Sequence, residues 1–298
     1  MSATPEATVR RTGSATSQVV HDRSIGDIIA STRNLTAEQV ERIAEHQRKT
    51  GVRFGEAAVA LGFANADDVL FALAQQFHYP YAAEAQRDAS PELVTLNQPF
   101  SYQAEAFRAV RPQIMMRIFG EGRKERRALA VISPAAGDGK TYFAANLAVV
   151  LAQLGGRTLL VDADLRNARQ HAVFNIPNDA GLSGLLAGRV ESNVIKQIQN
   201  VPNLFLLPAG ATPPNPLELV ERPAFDLLIK ELTSKFDHVV VDTPATQYGA
   251  DGEVIATRCG GAVIVARKDA SKVQALQELV ASLADLDATL AGVVVNEY

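Results

Sequence analysis

With 298 residues, 47% of them hydrophobic and 21% charged, the chain has room for two folded domains at about 150 residues each. Its formal net charge of −4 argues against a general nucleic-acid or anionic-membrane surface, so no nucleic-acid partner is expected. The single Cys259 excludes an internal disulfide, and no apolar run reaches the roughly 18 residues that a spanning helix needs.

Residues 1–22 are rich in Ser, Thr, Ala and Arg without sustained apolar periodicity, and read as a disordered tail without a signal-peptide core. A small helical domain is expected over 23–81. Inside it, residues 24–76 carry an internal repeat at an offset of 29. Ser24-Ile-Gly-Asp-Ile-Ile aligns with Arg53-Phe-Gly-Glu-Ala-Ala, and Gly26, Val40, Ala44 and Gln47 align with Gly55, Val69, Leu73 and Gln76. Each unit reads as helix, turn, helix. Thr36-Ala-Glu-Gln39 opens one second helix as a capping box, and Asn65 caps the other. Neither helical pair can bury a core alone, so the two are expected to pack together. The domain offers no carboxylate pair, metal cluster or nucleophile–base set, and His46 and His78 read as helix-surface residues. Pro80 and Pro91 bracket its exit into a linker over 82–100. Farther on, Arg117, Arg123, Lys124, Arg126 and Arg127 form either a local cationic patch or a solvated connection.

From residue 101 to 298, apolar strands alternate with helical stretches, the pattern of a mainly parallel α/β sheet. Strands are expected at Leu129–Ser133, Thr158–Asp162, Leu204–Leu207, His238–Asp242, Ala262–Ala266 and Gly292–Asn296. The helix after Lys140 places Phe143, Leu147, Val150, Leu151 and Leu154 on one face, which marks them as core.

Three strand ends carry chemistry. The first leads into Ser133-Pro-Ala-Ala-Gly137-Asp-Gly139-Lys140-Thr141. Gly137 and Gly139 let backbone N–H groups approach phosphates closely, Lys140 can bridge β- and γ-oxygens, and the Thr141 hydroxyl can ligate Mg²⁺. Ala136, Asp138 and Tyr142 complete the expected ATP contact. Pro134 stands where the strict G-x-x-x-x-G-K-[ST] pattern has glycine. The second end, Leu159-Leu-Val-Asp162-Ala-Asp164-Leu-Arg166, sends two alternate carboxylates towards one pocket. The third, Val239-Val-Val-Asp242, supplies another beside it. Such groups orient Mg²⁺ or take a proton from an attacking hydroxyl, with Asp162 expected to orient or deprotonate that hydroxyl and Asp242 and Thr141 expected to hold the metal. The fold class is therefore α/β, a P-loop NTPase preceded by a small helical domain, with ATP and Mg²⁺ as cofactors.

These motifs resemble the bacterial tyrosine kinases of polysaccharide loci, which belong to the MinD/ParA-like branch of P-loop ATPases. The resemblance covers 101–298. The family's D-x-D-x-R motif corresponds to Asp162, Asp164 and Arg166. The second lysine usual in MinD and ParA loops is absent, Ala135 and Ala136 standing there instead. Glu105-Ala-Phe-Arg108-Ala-Val-Arg111 looks like the family's E-x-x-R-x-x-R assembly helix, although i, i+3 ion pairing alone explains it as well. Pro213-Pro-Asn-Pro-Leu-Glu218-Leu and Gly181-Leu-Ser-Gly-Leu-Leu also look like family loops. The resemblance implies catalytic roles for Lys140, Asp162, Asp164 and Arg166 and metal ligation by Thr141, Asp162 and Asp242. It also implies adenine contacts from Arg267 and Asn296 and self-assembly through Glu105, Arg108 and Arg111.

By the same resemblance, the expected activity is ATP-dependent protein-tyrosine phosphorylation that regulates exopolysaccharide chain length or export. The implied partner is a membrane-spanning polysaccharide co-polymerase on a separate chain, and the implied setting is the cytoplasm. The family's clustered C-terminal tyrosines have only Tyr298 to correspond to them, a departure that puts the family's tail autophosphorylation in doubt here. The N-terminal repeat resembles the N-terminal domain of type II secretion ATPases (the MshEN type), some of which bind cyclic di-GMP. Its second unit fits through Arg53, Gly55, Gly62, Val69, Leu73 and Gln76, whereas the first has Ser24 for arginine and Arg33 for glycine. Two other readings stay open: a non-kinase ATPase switch that controls assembly on a membrane partner, and a cyclic di-GMP-responsive regulator.

Overall fold

The computed structural model describes residues 24–76, 90–120, 126–189, 193–199, 201–286 and 288–297. The expected tail, the first part of the expected linker, His78, Arg123, Lys124 and Tyr298 lie outside them. The chain divides into two compact units between Phe77 and His78.

The first unit has four helices, α1 (Ile25–Thr32), α2 (Ala37–Thr50), α3 (Phe54–Ala60) and α4 (Ala66–Gln76). Its repeat is visible in the way each helix begins. The Asp27 carboxylate accepts from Ser24 N at 3.2 Å, and Glu56 accepts from Arg53 N at 3.1 Å. Likewise Gln39 accepts from Thr36 N at 2.8 Å, and Asp68 accepts from Asn65 N at 2.7 Å. Each side chain thus satisfies a backbone donor at the helix start, at positions one repeat apart. The packing then crosses between repeats, α1 against α4 and α2 against α3. Ile29 and Ile43 are fully buried, and Leu35, Phe54 and Ala64 contribute to both apolar clusters. Gly55 permits the close approach of α3 and α4, because a Cβ there would stand 2.8 Å from Val69 Cγ1.

The second unit is built on a sheet of seven described strands. They are β1 (Leu129–Ile132), β2 (Thr158–Asp162), β3 (Lys196–Gln197), β4 (Leu204–Leu207), β5 (His238–Asp242), β6 (Gly261–Arg267) and β7 (Thr289–Asn296). Their order is β3-β4-β2-β5-β1-β6-β7, parallel throughout except for β3 against β4. All six expected strands are present, β7 beginning three residues earlier than expected. The short β3 has both residues exposed, so it lacks the apolar signal by which a strand is read. Strands β1, β2 and β5 are buried along their whole length, which explains their unbroken apolar runs.

The helix after the phosphate loop, α7 (Lys140–Ala152), is buried on nearly all sides rather than along one face. Leu154, expected in the core, lies beyond its end and is 51% exposed. Part of what covers α7 is a segment expected as linker. Residues 90–100 belong to this unit, with a short α5 (Val94–Asn97) laid against α7. Leu93 and Leu96 are buried there, and Thr95 donates to Asn146 Oδ1 through its N (3.0 Å) and its Oγ1 (2.9 Å). Asn146 Nδ2 in turn donates to Glu92 O at 2.8 Å. A polar pair sealed between apolar neighbours needs both partners, and this one fixes the strap to α7. Further helices cover the sheet: α6 (Tyr102–Ile114), α8 (Gln170–Val173), α9 (Leu182–Leu186), α10 (Pro216–Glu221), α11 (Pro223–Lys235), α12 (Asp251–Cys259) and α13 (Val273–Asp285).

Truncation tests the boundary. A chain starting at residue 90 should keep the melting temperature of the second unit, whereas one starting at 101 should be clearly destabilised. Losing the Leu93 and Leu96 side chains is comparable to two buried Leu→Ala changes, each costing about 2–5 kcal/mol. Equal melting temperatures would remove the strap from the folded unit.

Candidate nucleotide site

The parallel strands bring the loops after β1, β2 and β5 to one edge, which is where α/β sheets bind ligands. After β1 the backbone turns through Ser133–Gly139 into α7. Gly137 (φ 81°) and Gly139 (φ 97°) occupy the left-handed region that glycine enters without a Cβ penalty. No atom lies within 4 Å of where a Cβ on Gly137 would stand, so the loop faces open space. Lys140 Nζ donates to Ser133 Oγ at 3.1 Å, and Ser133 Oγ donates to Ala135 O at 2.7 Å.

Asp138 has a different place from its neighbours. Its carboxylate accepts from Ala135 N at 2.9 Å and from Ser271 Oγ at 2.9 Å. The Ser271 hydroxyl also accepts from Arg267 N at 2.7 Å. The phosphate loop is therefore braced against the turn after β6. Asn296 Nδ2 adds a longer contact of 3.5 Å to Asp138 O.

Beneath the loop, Asp162 and Asp242 are register partners on adjacent parallel strands, and both are fully buried. Asp162 Oδ2 accepts from Arg169 N (3.1 Å) and Gln170 N (3.0 Å). Asp242 Oδ2 accepts from Gln170 Nε2 at 2.9 Å. The remaining Oδ1 of each aspartate is buried without a hydrogen-bond partner. Burial raises the Asp162 carboxyl well above its ordinary range, and the neighbouring Asp242 charge adds to this. Burial likewise pushes Asp242 up to about 6, against the Lys140 ammonium and hydrogen bonds from Gln170 and Thr141. Two orphaned oxygens on adjacent carboxylates fit a hard divalent cation, which Asp242, Asp162 and Thr141 would hold. Among the described residues, no group of three or more His, Cys, Asp or Glu side chains could hold a metal by itself.

Above this pair opens a cavity of about 1000 Å³. Its walls include Ala136, Gly137, Gly139, Lys140, Thr141 and Tyr142 from the phosphate loop and α7, together with Asp164 and Asn296. Tyr248, Glu92 and Arg169 line it too, the last two joined by a 2.5 Å ion pair, while α6 contributes Tyr102, Phe107 and Val110. The expected residues thus separate into groups. Asp164 reaches the cavity wall, whereas Asp162 and Asp242 lie below it. Asp138 and Arg267 are not in the lining, and Arg166 is turned aside, its Nη2 donating to both Asp251 oxygens at 3.1 and 3.0 Å. On α6, Arg111 donates to Val150 O at 2.9 Å, and Arg108 bonds Glu105 and Pro99 O.

Sequence reading missed Gln170, Ser271 and Ser133. Gln170 is fully buried and serves both aspartates, yet nothing in its local pattern separates it from a surface glutamine. Ser271 meets Asp138 across 133 residues of sequence, and only the sheet order brings them together. Ser133 was visible as the last residue of a strand, without its link to Lys140.

A glycine-rich loop over paired strand-end carboxylates defines a P-loop nucleotide-binding protein of the MinD/ParA kind. The family model for the CobQ/CobB/MinD/ParA nucleotide binding domain matches residues 129–298, and the chain belongs to this family and, within it, to the bacterial tyrosine-protein kinases. It is 31% identical over 194 residues to the tyrosine-protein kinase CpsD of Streptococcus agalactiae, covering 65% of this chain and 82% of that one. The kinase domain of Escherichia coli tyrosine kinase ETK superposes with a TM-score of 0.65 at 29% identity, over 70% of this chain and 80% of that one. The septum site-determining protein MinD complexed with Mg-ADP from Pyrococcus horikoshii OT3 gives 0.51 at 26% identity, over 58% and 70%. Among the described residues, no helix is long and apolar enough to cross a membrane.

The carboxylate pair makes the stability of the nucleotide-free protein depend on pH. Between the ordinary value of 3.8 and about 6, native Asp242 keeps a proton that the unfolded chain releases. Stability from this group therefore falls as pH rises through that window. With ADP present, Mg²⁺ should raise the melting temperature more at about pH 7.5 than at about pH 5, because a cation competes with that proton. Asp242→Asn should abolish most of the magnesium-dependent gain while leaving the magnesium-free melting temperature at or above wild type. A full magnesium response in this variant would move the cation elsewhere.

Proposed function

We propose that Mg·ATP binds on residues 136–141 and that its γ-phosphoryl group is transferred to a tyrosine hydroxyl. The observation that carries this reading is the pair of orphaned aspartate oxygens beneath the phosphate loop, with Asp164 left on the cavity wall. Lys140 swings from Ser133 to the β- and γ-oxygens. Thr141 and Asp242 hold Mg²⁺ with Asp162 beside them, and Asp164 takes the phenolic proton. Arg166 positions this loop through Asp251 rather than touching substrate. Bound magnesium supplies neutralisation of the charge that develops between the phosphates, and the protein supplies position. Arg267 and Asn296 stand together in register at the ends of β6 and β7, which suits a purine edge near Asn296.

We further assign this kinase to control of exopolysaccharide chain length or export with a membrane-spanning co-polymerase, on the resemblance of its motifs to that family. The tyrosine-kinase relatives favour phosphoryl transfer over a simple ATPase switch. The N-terminal unit serves regulation or docking. Its cyclic di-GMP variant rests on the exposed Arg53, since the matching position of the first repeat is Ser24.

Labelled ATP with a Glu-Tyr polymer tests the activity. Lys140→Ala should reduce phosphotyrosine formation and calorimetric ATP affinity by at least about tenfold, because a single ammonium meets the β/γ-phosphates. Unchanged ATP affinity would overturn the phosphate-loop assignment.

Self-assembly is assigned to α6. Glu105 presents a side chain 62% exposed, while Arg108 and Arg111 also tie the helix to its own unit. Light scattering should show an oligomer for the wild type with nucleotide and a lower mass after Glu105, Arg108 and Arg111 are all changed to alanine. The single Glu105→Ala variant, which leaves α6 attached through Arg111, should weaken assembly as well. A wild type that stays monomeric with nucleotide and partner would end this assignment.

A further inference from the structure

Six tyrosines occur in the chain, and three of them, Tyr102, Tyr142 and Tyr248, line the nucleotide cavity. They are not equivalent. Tyr142 is half-buried, its ring packed edge-on against Phe107 at 5.7 Å, and burial together with the Glu92 charge raises its hydroxyl above the ordinary value. Tyr102 is 89% exposed on the first turn of α6, outside the loops that carry Lys140 and Asp164.

Tyr248 stands on a one-turn 3-10 segment, Thr246–Tyr248, that is anchored on both sides of the reaction space. On one side, Thr246 N donates to Ser133 O and Gln247 N donates to Pro134 O, each at 3.0 Å, which fixes the turn to the start of the phosphate loop. On the other, Asp251 holds Arg166 through both carboxylate oxygens, which fixes the following residues to the loop that carries Asp164. Gly249 between the anchors has φ 147°, and a Cβ there would come within 3.0 Å of Asp251 Oδ2. The short chain carrying Tyr248 is thus suspended between the two loops that hold the phosphates and the accessible carboxylate. Tyr248 is 46% exposed.

We propose that Tyr248 is a phosphorylation site of this kinase, modified within its own nucleotide cavity. This rests on the kinase reading above. In the step, Tyr248 Oη attacks the γ-phosphorus of Mg·ATP and a new O–P bond forms. The bond from that phosphorus to the β–γ bridging oxygen breaks, ADP leaves, and the phenolic proton passes to Asp164. The product places about −1.5 to −2 of charge on the cavity wall that Asp164 already makes acidic. A dianion there competes with the next nucleotide for Lys140, so the modification reports on past turnover as well as changing the surface.

The full chain is incubated with Mg·ATP, digested with trypsin and analysed by mass spectrometry. Tyr248 is the one tyrosine in the tryptic peptide 236–258, which makes its occupancy readable directly. The expected result is phosphate on Tyr248, reduced by at least about tenfold in Lys140→Ala and absent from this peptide's tyrosine position in Tyr248→Phe. When Lys140→Ala protein is mixed with wild type, its Tyr248 should stay unmodified, because the transfer occurs within one chain. Labelling of the Lys140→Ala chain in that mixture would overturn transfer within one cavity. Phosphorylation of a Glu-Tyr polymer by a wild type whose Tyr248 remains unmodified would overturn the site while leaving the kinase reading intact. Failure to label either the polymer or the chain would remove both.

Discussion

Two carboxylates buried side by side are the constraint on which this site depends. Asp162 and Asp242 end neighbouring parallel strands in register, so the sheet itself forces them together below the phosphate loop. Burial and mutual repulsion disfavour two charges there, and Gln170 relieves only part of this through one donor to each. What remains is two buried oxygens without partners, whose charge a proton or a cation would neutralise. The nucleotide-free state is accordingly the uncomfortable one. The strand pairing that gives the fold its centre thus also sets two carboxylates at the place where this site carries an uncompensated charge.

The phosphate loop is held by a second set of contacts that do not touch the cation. Asp138 joins the loop to its own beginning at Ala135 and to Ser271 beyond β6, while Lys140 rests on Ser133. These bonds tie the loop to its own start and to the turn after β6, which restrains its backbone. Asp138 stands inside the motif that binds phosphate, yet its side chain works as a brace. A motif position and a contact are different things.

Much of this was legible in the sequence. Strands β1, β2 and β5 are buried on both faces, and such strands must be apolar throughout, so their limits and the aspartates that close them stand out. The repeat in the first unit was equally readable, because helix starts use a small set of capping side chains at fixed spacing. What escaped was set by distance along the chain. Leu93, Thr95 and Leu96 lie in a stretch bounded by Pro91 and too short to show a period, and their burial depends on α7 meeting them about fifty residues later. The pairing of Arg166 with Asp251 is invisible for the same reason, since i-to-j contacts between loops leave no periodic trace.

The strap formed by residues 90–97 gives the molecule a mechanical property. Thr95 grips Asn146 in the middle of the helix that Lys140 begins, and the chain leads from that grip back towards the first unit. Residues 92–96 are therefore fastened to the interior of α7, and not to a loose surface loop. The grip consists of hydrogen bonds of 2.9 and 3.0 Å between fully buried groups. The helix that begins at Lys140 therefore carries, in its middle, the joint that fastens the preceding stretch of chain to the nucleotide-binding unit.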